Sequence, residues 1–252
     1  MASNVLSRSE PNGISVLISG AGIGGLMSAL ELWRVGCNVR IIERSKGIVT
    51  TGAYVQVCDS TYADLDTGDS FSIGYSATQA FRNWPYLEAE NEKIAYSPLV
   101  AYCKEDGQIF AGPMDLKEII SENVTNEKAK QRIYRHSRPK FHRILYEQLH
   151  QVGLEVEFGL EVVDYFEAEE RNCAGVVLKN GSRIEADLVV ASDGVRGVSW
   201  PLIAGQPVPA RSSGDAMFRV AFPVENVLDD PAIMDRFRLD ESGRSIINLV
   251  FG

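Results

Sequence analysis

A glycine-rich segment near the start of the chain, Gly20-Ala-Gly-Ile-Gly-Gly25, constrains the possible folds more than any other feature of the sequence. An apolar run at residues 14–18 precedes it and predicts a short strand buried inside a parallel sheet. Apolar residues repeat at helical spacing after it, and Gly36 lies where that helix would end. A second apolar strand then closes at Glu43. This order of strand, glycine turn, helix and strand predicts a βαβ unit, and therefore an α/β fold with a parallel sheet.

The spacing of the glycines, completed by an acidic residue, is typical of a dinucleotide-binding turn. Gly20 permits a tight turn, Gly22 lets a pyrophosphate approach the backbone, and Gly25 lets the helix pack closely on the strand. The N-terminus of that helix offers N–H groups and a positive dipole to the phosphates. Glu43 lies 23 positions after Gly20, where a carboxylate can accept both ribose hydroxyls of an adenosine. The alternative is a purely structural turn with a solvated Glu43; Ala29 extends the spacing to GxGxxGxxxA, which favours FAD over NAD without deciding between them.

Composition and charge argue against several classes of protein. Hydrophobic residues make up 45% of the chain and charged residues 23%, which suits a folded domain with a buried core. The net charge of −9 leaves no basic excess to neutralise phosphates, so we expect no nucleic-acid partner. The four cysteines lie far apart without a CxxC pair, so we expect no metal site and a reducing, cytoplasmic setting. Residues 1–13 lack a signal-peptide core, and glycines interrupt the apolar run at residues 14–33, so we expect no membrane span.

The rest of the pattern predicts further elements. Apolar residues share one face over residues 138–152, which predicts a helix. The Asn180-Gly181 pair between apolar runs predicts a hairpin with a tight turn. Residues 188–191 predict another buried strand, whereas residues 111–130 predict irregular or helical surface.

Three segments occur in an order that resembles one family. They are Gly20 to Gly25 with Glu43-Arg44, then Arg138-Pro-Lys-Phe-His-Arg-Ile-Leu145, then Ala186-Asp-Leu-Val-Val-Ala-Ser-Asp-Gly194. Together they resemble the single-component FAD-dependent monooxygenases of the aromatic-hydroxylase and salicylate-hydroxylase type, most closely the fungal members, over residues 14–225. The third segment is the most specific, because NAD dehydrogenases do not carry it.

The resemblance implies a Rossmann-like FAD-binding fold with three layers around a parallel central sheet, together with part of a mixed β-sheet substrate domain. It implies that residues 1–75 and 112–205 form the FAD-binding domain. Residues 76–111 and 206–252 would then form the partial substrate-binding domain.

The resemblance also implies roles for individual residues. The residues implied to hold FAD are Gly20, Gly22, Gly25, Glu43, Arg44, Gly68, Arg138 and Asp193. An arginine is disfavoured beside the positive end of a helix, so Arg138 at a helix start favours an anionic ligand, with a plain charge at a helix start as the open alternative. Asp193 has the alternative of a simple turn after a strand. Arg196 matches a motif arginine implied to act in catalysis, with a solvated surface arginine as the open alternative.

The implied activity uses FAD and NAD(P)H. NAD(P)H reduces FAD, the reduced flavin activates O₂, and oxygen passes to a small aromatic or polycyclic substrate, while the protein positions the substrate and excludes water. We expect no nucleophile or triad, because His136, His142 and His150 have no triad-like context. Two alternatives stay open: a catalytically incompetent, truncated FAD-binding fragment, or another flavoprotein oxidoreductase of the same fold. The Gly-Trp-x-Trp-x-Ile-Pro motif of flavin halogenases is absent, which disfavours that class.

Two departures from the family pattern concern the later part of the chain. The family's Gly-Asp motif normally follows far downstream, whereas Gly214-Asp215 lies only 22 positions after Asp193, so we interpret it as a chance match. We therefore expect a C-terminally truncated chain. Gly197 and Trp200 occupy positions where relatives usually have Ser and Arg, a difference that concerns NADPH more than FAD.

A third departure lies after the second strand. Relatives reach a glycine and a short strand within a few residues of the acidic strand end, whereas here residues 53–66 intervene before Gly68. We interpret residues 53–66 as an insertion, with a translated intron or a gene-model error as its origin. Sequencing the transcript tests that origin, since a spliced message that still encodes these residues would contradict it.

Overall fold

A computed structural model describes most of the chain in two compact units. The described residues are 7–47, 70–93, 95–96, 99–115, 133–209, 211–214, 229–231 and 246–251. The first unit comprises Met1–Gly68, Trp84–Leu87 and Arg138–Met217. The second unit comprises Asp69–Asn83, Glu88–Ser137 and Phe218–Gly252. The insertion predicted at residues 53–66 lies outside the described residues, and the assignment of binding roles to domains stays a prediction.

The bounds of the helices and strands are as follows. The strands are β1 (Ser15–Ser19), β2 (Asn38–Glu43), β3 (Ser70–Ile73), β4 (Ala95–Tyr96), β5 (Leu99–Lys104), β6 (Ile109–Asp115), β7 (Ile133–Ser137), β8 (Val156–Phe158), β9 (Val162–Ala168), β10 (Cys173–Leu178), β11 (Arg183–Ala186), β12 (Leu188–Ala191) and β13 (Ile246–Phe251). The α-helices are α1 (Ile23–Arg34), α2 (Tyr75–Thr78), α3 (Pro85–Glu92), α4 (Arg138–Gln151) and α5 (Trp200–Ala204). None of these helices is long and apolar enough to cross a membrane.

A four-stranded parallel sheet forms the centre of the first unit. Its strand order is β12-β1-β2-β8, and every pair in it is parallel. The β1 side chains Val16, Leu17 and Ile18 are almost fully buried, as expected for a strand with neighbours on both sides. Helix α1 buries Gly25, Leu26, Ala29 and Leu30 and packs against β1, β2 and α4. The predicted α/β fold with a parallel sheet is confirmed.

An antiparallel sheet covers the other side of this parallel sheet. Its order is β11-β10-β9, and its side chains form one buried cluster with two residues of the parallel sheet. The members of this cluster are Leu17, Ile42, Tyr165, Val176, Leu178 and Ala186. Helices, parallel sheet and antiparallel sheet make three layers, as predicted. The predicted hairpin is present as β10 and β11, and Gly181 takes a φ of +84° in its turn.

Strand β12 differs from its prediction in burial. Residues 188–191 do form a strand, but Leu188 is 45% exposed and all four side chains are exposed or half-buried. Among the described strands, β12 pairs only with β1, so it lies at an edge of the sheet. Its continuous apolar run predicted cover on both faces, which the described residues do not provide.

The prediction of irregular or helical surface at residues 111–130 is wrong for residues 111–115. These residues belong to β6, which pairs antiparallel with β5 at a shifted register. Gly112 has a φ of +82°, and a Cβ there would lie 2.4 Å from the carbonyl oxygen of Val100. Strand pairing therefore outweighs the breaking tendency of Gly112 and Pro113. Residues 116–130 lie outside the described residues.

The second unit contains the sheets β13-β5-β6 and β3-β7-β4 and a buried histidine. His136 on β7 is 2% exposed, and its Nε2 lies 2.5 Å from Oδ1 of the buried Asn91. The amide oxygen only accepts, so the imidazole donates through Nε2. Burial lowers the pKa of His136 to about 4, which keeps it neutral at pH 7.

Acid is expected to destabilise the chain through His136. Its pKa is lower in the folded state than the ordinary value of 6.5, so the unfolded chain binds the proton more tightly. The stability is fully present above about pH 6.5 and falls towards pH 4, by about 3 kcal/mol in total. Urea unfolding across this range measures the loss, and His136→Gln should flatten it. Identical pH slopes for the two proteins would contradict the assignment.

Candidate functional site

An open cavity of about 380 Å³ lies at the carboxyl ends of the parallel strands. Its lining comes from the segments that follow β1, β2, β8 and β12. The residues that line it are Ser19, Gly20, Gly22, Ile42, Glu43, Arg44, Leu160, Glu161, Val162, Ser192, Asp193, Gly194, Arg196, Gly197 and Val198. In open α/β sheets, ligands bind in the crevice outside the carboxyl ends of the strands. The cavity therefore occupies the expected position for a binding site.

Two glycines allow the loop that follows β1 to lie in close contact with neighbouring backbone. Gly20 has a φ of +105°, and a Cβ there would lie 2.4 Å from the carbonyl oxygen of Ser192. The Ser192 N–H in turn donates to the carbonyl of Ser19 over 2.8 Å. A Cβ at Gly25 would lie 1.9 Å from the carbonyl oxygen of Gly20. Side chains at these two positions would separate the loop from β12 or from α1.

Gly22 differs, because the space beside it is open. A Cβ there would meet nothing within 4 Å, and its φ of −71° is accessible to any residue. Gly22 is also the N-cap of α1, where no side chain caps the helix and the first turn contains no acidic residue. The first N–H groups of a helix have no partner within the helix. This helix start therefore suits an anionic ligand.

Gly22→Ala is expected to separate binding from folding. The methyl group meets open space, so we expect it to lower the free energy of unfolding by about 1 kcal/mol at most, through the poorer N-cap. It would intrude where a phosphate approaches the backbone, so affinity for a dinucleotide should fall by about 10- to 100-fold. Urea unfolding and ligand titration on the same preparation measure both quantities. A variant that binds as well as the wild type would remove Gly22 from the site.

Glu43 connects the end of β2 to the glycine loop. Its Oε2 accepts the N–H of Ala21 over 2.9 Å, and its Oε1 accepts the N–H of Ser45 over 2.9 Å. Each carboxylate oxygen can accept a further hydrogen bond. Because Glu43 also lines the cavity, it can accept ribose hydroxyls while it holds the loop.

The carboxylate of Asp193 organises the turn that follows β12. Its Oδ2 accepts the N–H groups of Val198 at 2.8 Å and Ser199 at 3.2 Å. The Ser199 hydroxyl lies 3.1 Å from Oδ1. A Cβ at Gly197 would lie 2.2 Å from that same Oδ1, so a glycine at this position leaves room for the carboxylate.

Tyr165, which the sequence did not single out, joins the two loops of the site. Its Oη lies 2.8 Å from Ser19 Oγ and 3.1 Å from Asp193 Oδ2. The ring is buried between the sheets, and burial strongly raises the pKa of this phenol, so it stays protonated. No motif in the sequence around Tyr165 indicated this contact. The contact itself depends on how the antiparallel sheet packs on the parallel one.

The arginines predicted to act in the site do not all come together. Arg44 and Arg196 both line the cavity, and Arg196 lies in the exposed turn Gly194–Arg196. Arg138 is the first residue of α4 and is not among the residues that line the cavity. Gly68 lies outside the described residues. The binding and catalytic roles of all these residues stay predictions.

Comparison with known proteins assigns the chain to a family of related sequences. A family model described as "FAD binding domain" matches residues 83–237. "FAD-dependent monooxygenase fsr3" of Gibberella fujikuroi is 36% identical over 239 residues, which is 95% of this chain and 43% of that protein. An "FAD-dependent monooxygenase" of Claviceps purpurea is 39% identical over 233 residues, which is 92% of this chain and 42% of that protein. The chain thus spans less than half the length of these curated relatives.

Solved structures share the fold. The crystal structure of CtdE in complex with FAD and substrate 4 has a TM-score of 0.72 at 23% identity, covering 95% of this chain and 52% of that one. The crystal structure of FqzB has a TM-score of 0.70 at 20% identity, covering 99% of this chain and 50% of that one. At these identities the likeness concerns the fold alone.

Proposed function

Because the chain belongs to the FAD binding domain family, we propose that it binds FAD in the cavity at the carboxyl ends of β1, β2 and β12, as part of an FAD-dependent monooxygenase. The reaction uses NAD(P)H and O₂ to hydroxylate a small aromatic or polycyclic substrate. Bound FAD would supply the activation of O₂. The chain's own residues bind and orient the cofactor.

The observation that carries this proposal is the fit of the cavity to the ADP half of FAD. The uncapped start of α1 and the open space at Gly22 suit a pyrophosphate. Glu43 reaches the same cavity and has free acceptor capacity for ribose hydroxyls. An anion site and a ribose acceptor thus meet in one crevice, which supports a dinucleotide ligand.

Asp193 acts in this proposal through the turn it holds. Its carboxylate accepts N–H groups of Val198 and Ser199 and so shapes the wall of the cavity that adjoins the glycine loop. Tyr165 and Ser19 link that wall to the end of β1. We propose that this network fixes the turn beside the end of β1 and so keeps the shape of the cavity that admits the cofactor.

Arg196 is the catalytic candidate, since it lies in the exposed turn at the cavity. Arg196→Gln is expected to leave FAD bound and to lower turnover on the order of 100-fold, as loss of an electrostatic contact to the reacting groups does. Arg171→Gln is the matched control, because Arg171 pairs with Glu185 on the exposed sheet surface. Flavin content and steady-state rates measure the two effects. Equal rates for Arg196→Gln and wild type would make Arg196 a surface arginine.

The proposal is tested by purifying this chain and measuring its flavin. We expect yellow protein, or colourless protein that takes up added FAD in a 1:1 ratio. Protein that fails to take up FAD would defeat the binding proposal. If FAD binds, oxidation of NADPH and of NADH with candidate phenols, and transfer of one atom from isotopically labelled O₂ to the product, test the monooxygenase reaction.

Flavin binding without oxygen transfer would contradict the monooxygenase part for this chain and leave the binding part standing. Oxidation of NAD(P)H without oxygenated product would favour another flavoprotein oxidoreductase of the same fold.

A further inference from the structure

His142 contacts the glycine loop from the helix layer. It lies on α4, one helical turn after Arg138, and its Nε2 is 2.7 Å from the carbonyl oxygen of Ala21. A carbonyl oxygen only accepts hydrogen bonds, so the imidazole carries a proton on Nε2 and donates it to Ala21. Nothing in the spacing of the histidines indicated this contact.

Ala21 is consequently held through both of its backbone polar groups. Its N–H donates to Oε2 of Glu43 over 2.9 Å, and its carbonyl accepts from His142. A peptide unit is planar and trans, so its C=O and N–H point in opposite directions. The hydrogen bond from His142 therefore turns the N–H of Gly22, which shares a peptide unit with that carbonyl, away from α4.

The direction opposite to α4 matters because of what lies there. Gly22 lines the cavity, whereas His142 is not among the lining residues. Gly22 also has open space beside it and starts an uncapped helix. An amide fixed in this direction is available to a phosphate oxygen before the ligand arrives, and preorganised donors of this kind raise affinity.

The second ring nitrogen of His142 supports a role beyond packing. In the described part of the chain, Nδ1 of His142 is buried and has no hydrogen-bond partner. An unsatisfied buried polar atom costs stability, so the ring is not explained by its contribution to folding alone. Among the residues that the structure describes, the imidazole hydrogen-bonds only to the glycine loop.

We propose that His142 is a positioning residue for the diphosphate of the cofactor, which fixes the Ala21–Gly22 peptide so that the Gly22 amide faces the cavity. The inference rests on the proposed FAD site. It concerns the phosphates and not the flavin ring, so it predicts the same effect for FAD and for ADP, which carries a diphosphate and an adenosine without a flavin.

Three variants of the full chain test this role. His142→Leu removes the donor and should raise the dissociation constants of FAD and ADP by the same factor, about tenfold. His142→Gln keeps an N–H donor at the end of a side chain of similar reach and should restore most of the affinity. His150→Leu is the matched control, because His150 is on the same helix and pairs with the exposed Glu155. Its affinities should equal those of the wild type.

Several results would overturn the proposal. Wild-type affinity in His142→Leu would do so, as would a loss for FAD that ADP does not share, or a Gln variant no better than Leu. If the Leu variant does not fold, nitrogen NMR of the imidazole in the wild-type chain decides: the proton belongs on Nε2, and a proton on Nδ1 alone would overturn the contact. A wild-type chain that binds neither FAD nor ADP would overturn the FAD site itself, whereas a binding wild type with unaffected variants would overturn only the role of His142.

Discussion

Gly25→Ala is expected to lower the free energy of unfolding by about 3 kcal/mol and to weaken FAD binding at least on the order of 100-fold. The added Cβ would lie 1.9 Å from the carbonyl oxygen of Gly20 and 3.4 Å from Cγ2 of Ile18. The Gly20 oxygen is a backbone atom, and the added Cβ is attached directly to the backbone of α1. Neither atom can therefore rotate away as the end of a flexible side chain would. The helix must move off β1, which opens the loop that the phosphates would contact.

Gly24→Ala is the matched control for this prediction. Gly24 is the adjacent residue of the same helix, and a Cβ there meets nothing within 4 Å. Alanine is the better helix former, so we expect a gain of about 0.5–1 kcal/mol and unchanged FAD affinity. Urea unfolding followed by tryptophan fluorescence measures the stability of both variants. The buried Trp84 reports on this unit, and its ring centroid lies 6.2 Å from that of Trp33. Equal stability of the two variants would contradict the close packing at Gly25.

Glu43→Ala is expected to weaken FAD binding about 100-fold and to lower the free energy of unfolding by about 2 kcal/mol. The substitution removes the acceptor of the Ala21 and Ser45 N–H groups together with the acceptor proposed for the ribose hydroxyls. Ala21 is buried, so its N–H would lose its partner without gaining water. Titration with FAD and urea unfolding measure the two losses.

The control for Glu43 is Glu157→Ala on the neighbouring strand β8. Glu157 forms an exposed ion pair with Arg40, which lowers the pKa of this carboxyl. Exposed pairs contribute up to about 1 kcal/mol, so we expect a small change in stability and none in FAD affinity. If Glu43→Ala and Glu157→Ala have the same affinity for FAD, the assignment of Glu43 to the ribose is wrong.

The sequence predicted those parts of the fold that depend on local patterns. The strand before Gly20, helix α1 with its end near Gly36, helix α4 and the Asn180-Gly181 hairpin all follow from periodicity and turn residues. These signals lie within segments of a few residues to a few turns, and the physical rules that link them to structure are local as well.

Features that depend on pairing between strands distant in the chain could not be predicted from the sequence. Gly112 and Pro113 indicate a break, yet pairing with β5 keeps them in a strand. The apolar run at residues 188–191 indicates burial, yet the number of neighbouring strands decides the burial of a strand. Neither the partner strand of β6 nor the number of strands beside β12 can be predicted from the segment alone.

In the candidate site, too, some residues could be predicted from a local motif and others could not. The glycines and Glu43 follow from a motif with a defined spacing, because the turn, the helix start and the strand end are close in the chain. Tyr165 and His142 reach the same loops from other layers, across 146 and 121 residues of sequence. Such contacts depend on how β9 and α4 pack, and no spacing rule connects them to the glycine loop.

A crystal structure of this chain with FAD would show where the cofactor binds. We expect the pyrophosphate to lie at the backbone of Gly22 at the start of α1, with the adenosine ribose hydroxyls within hydrogen-bond distance of the Glu43 carboxylate. FAD bound outside the cavity at the carboxyl ends of β1, β2 and β12, or a ribose out of reach of Glu43, would contradict it.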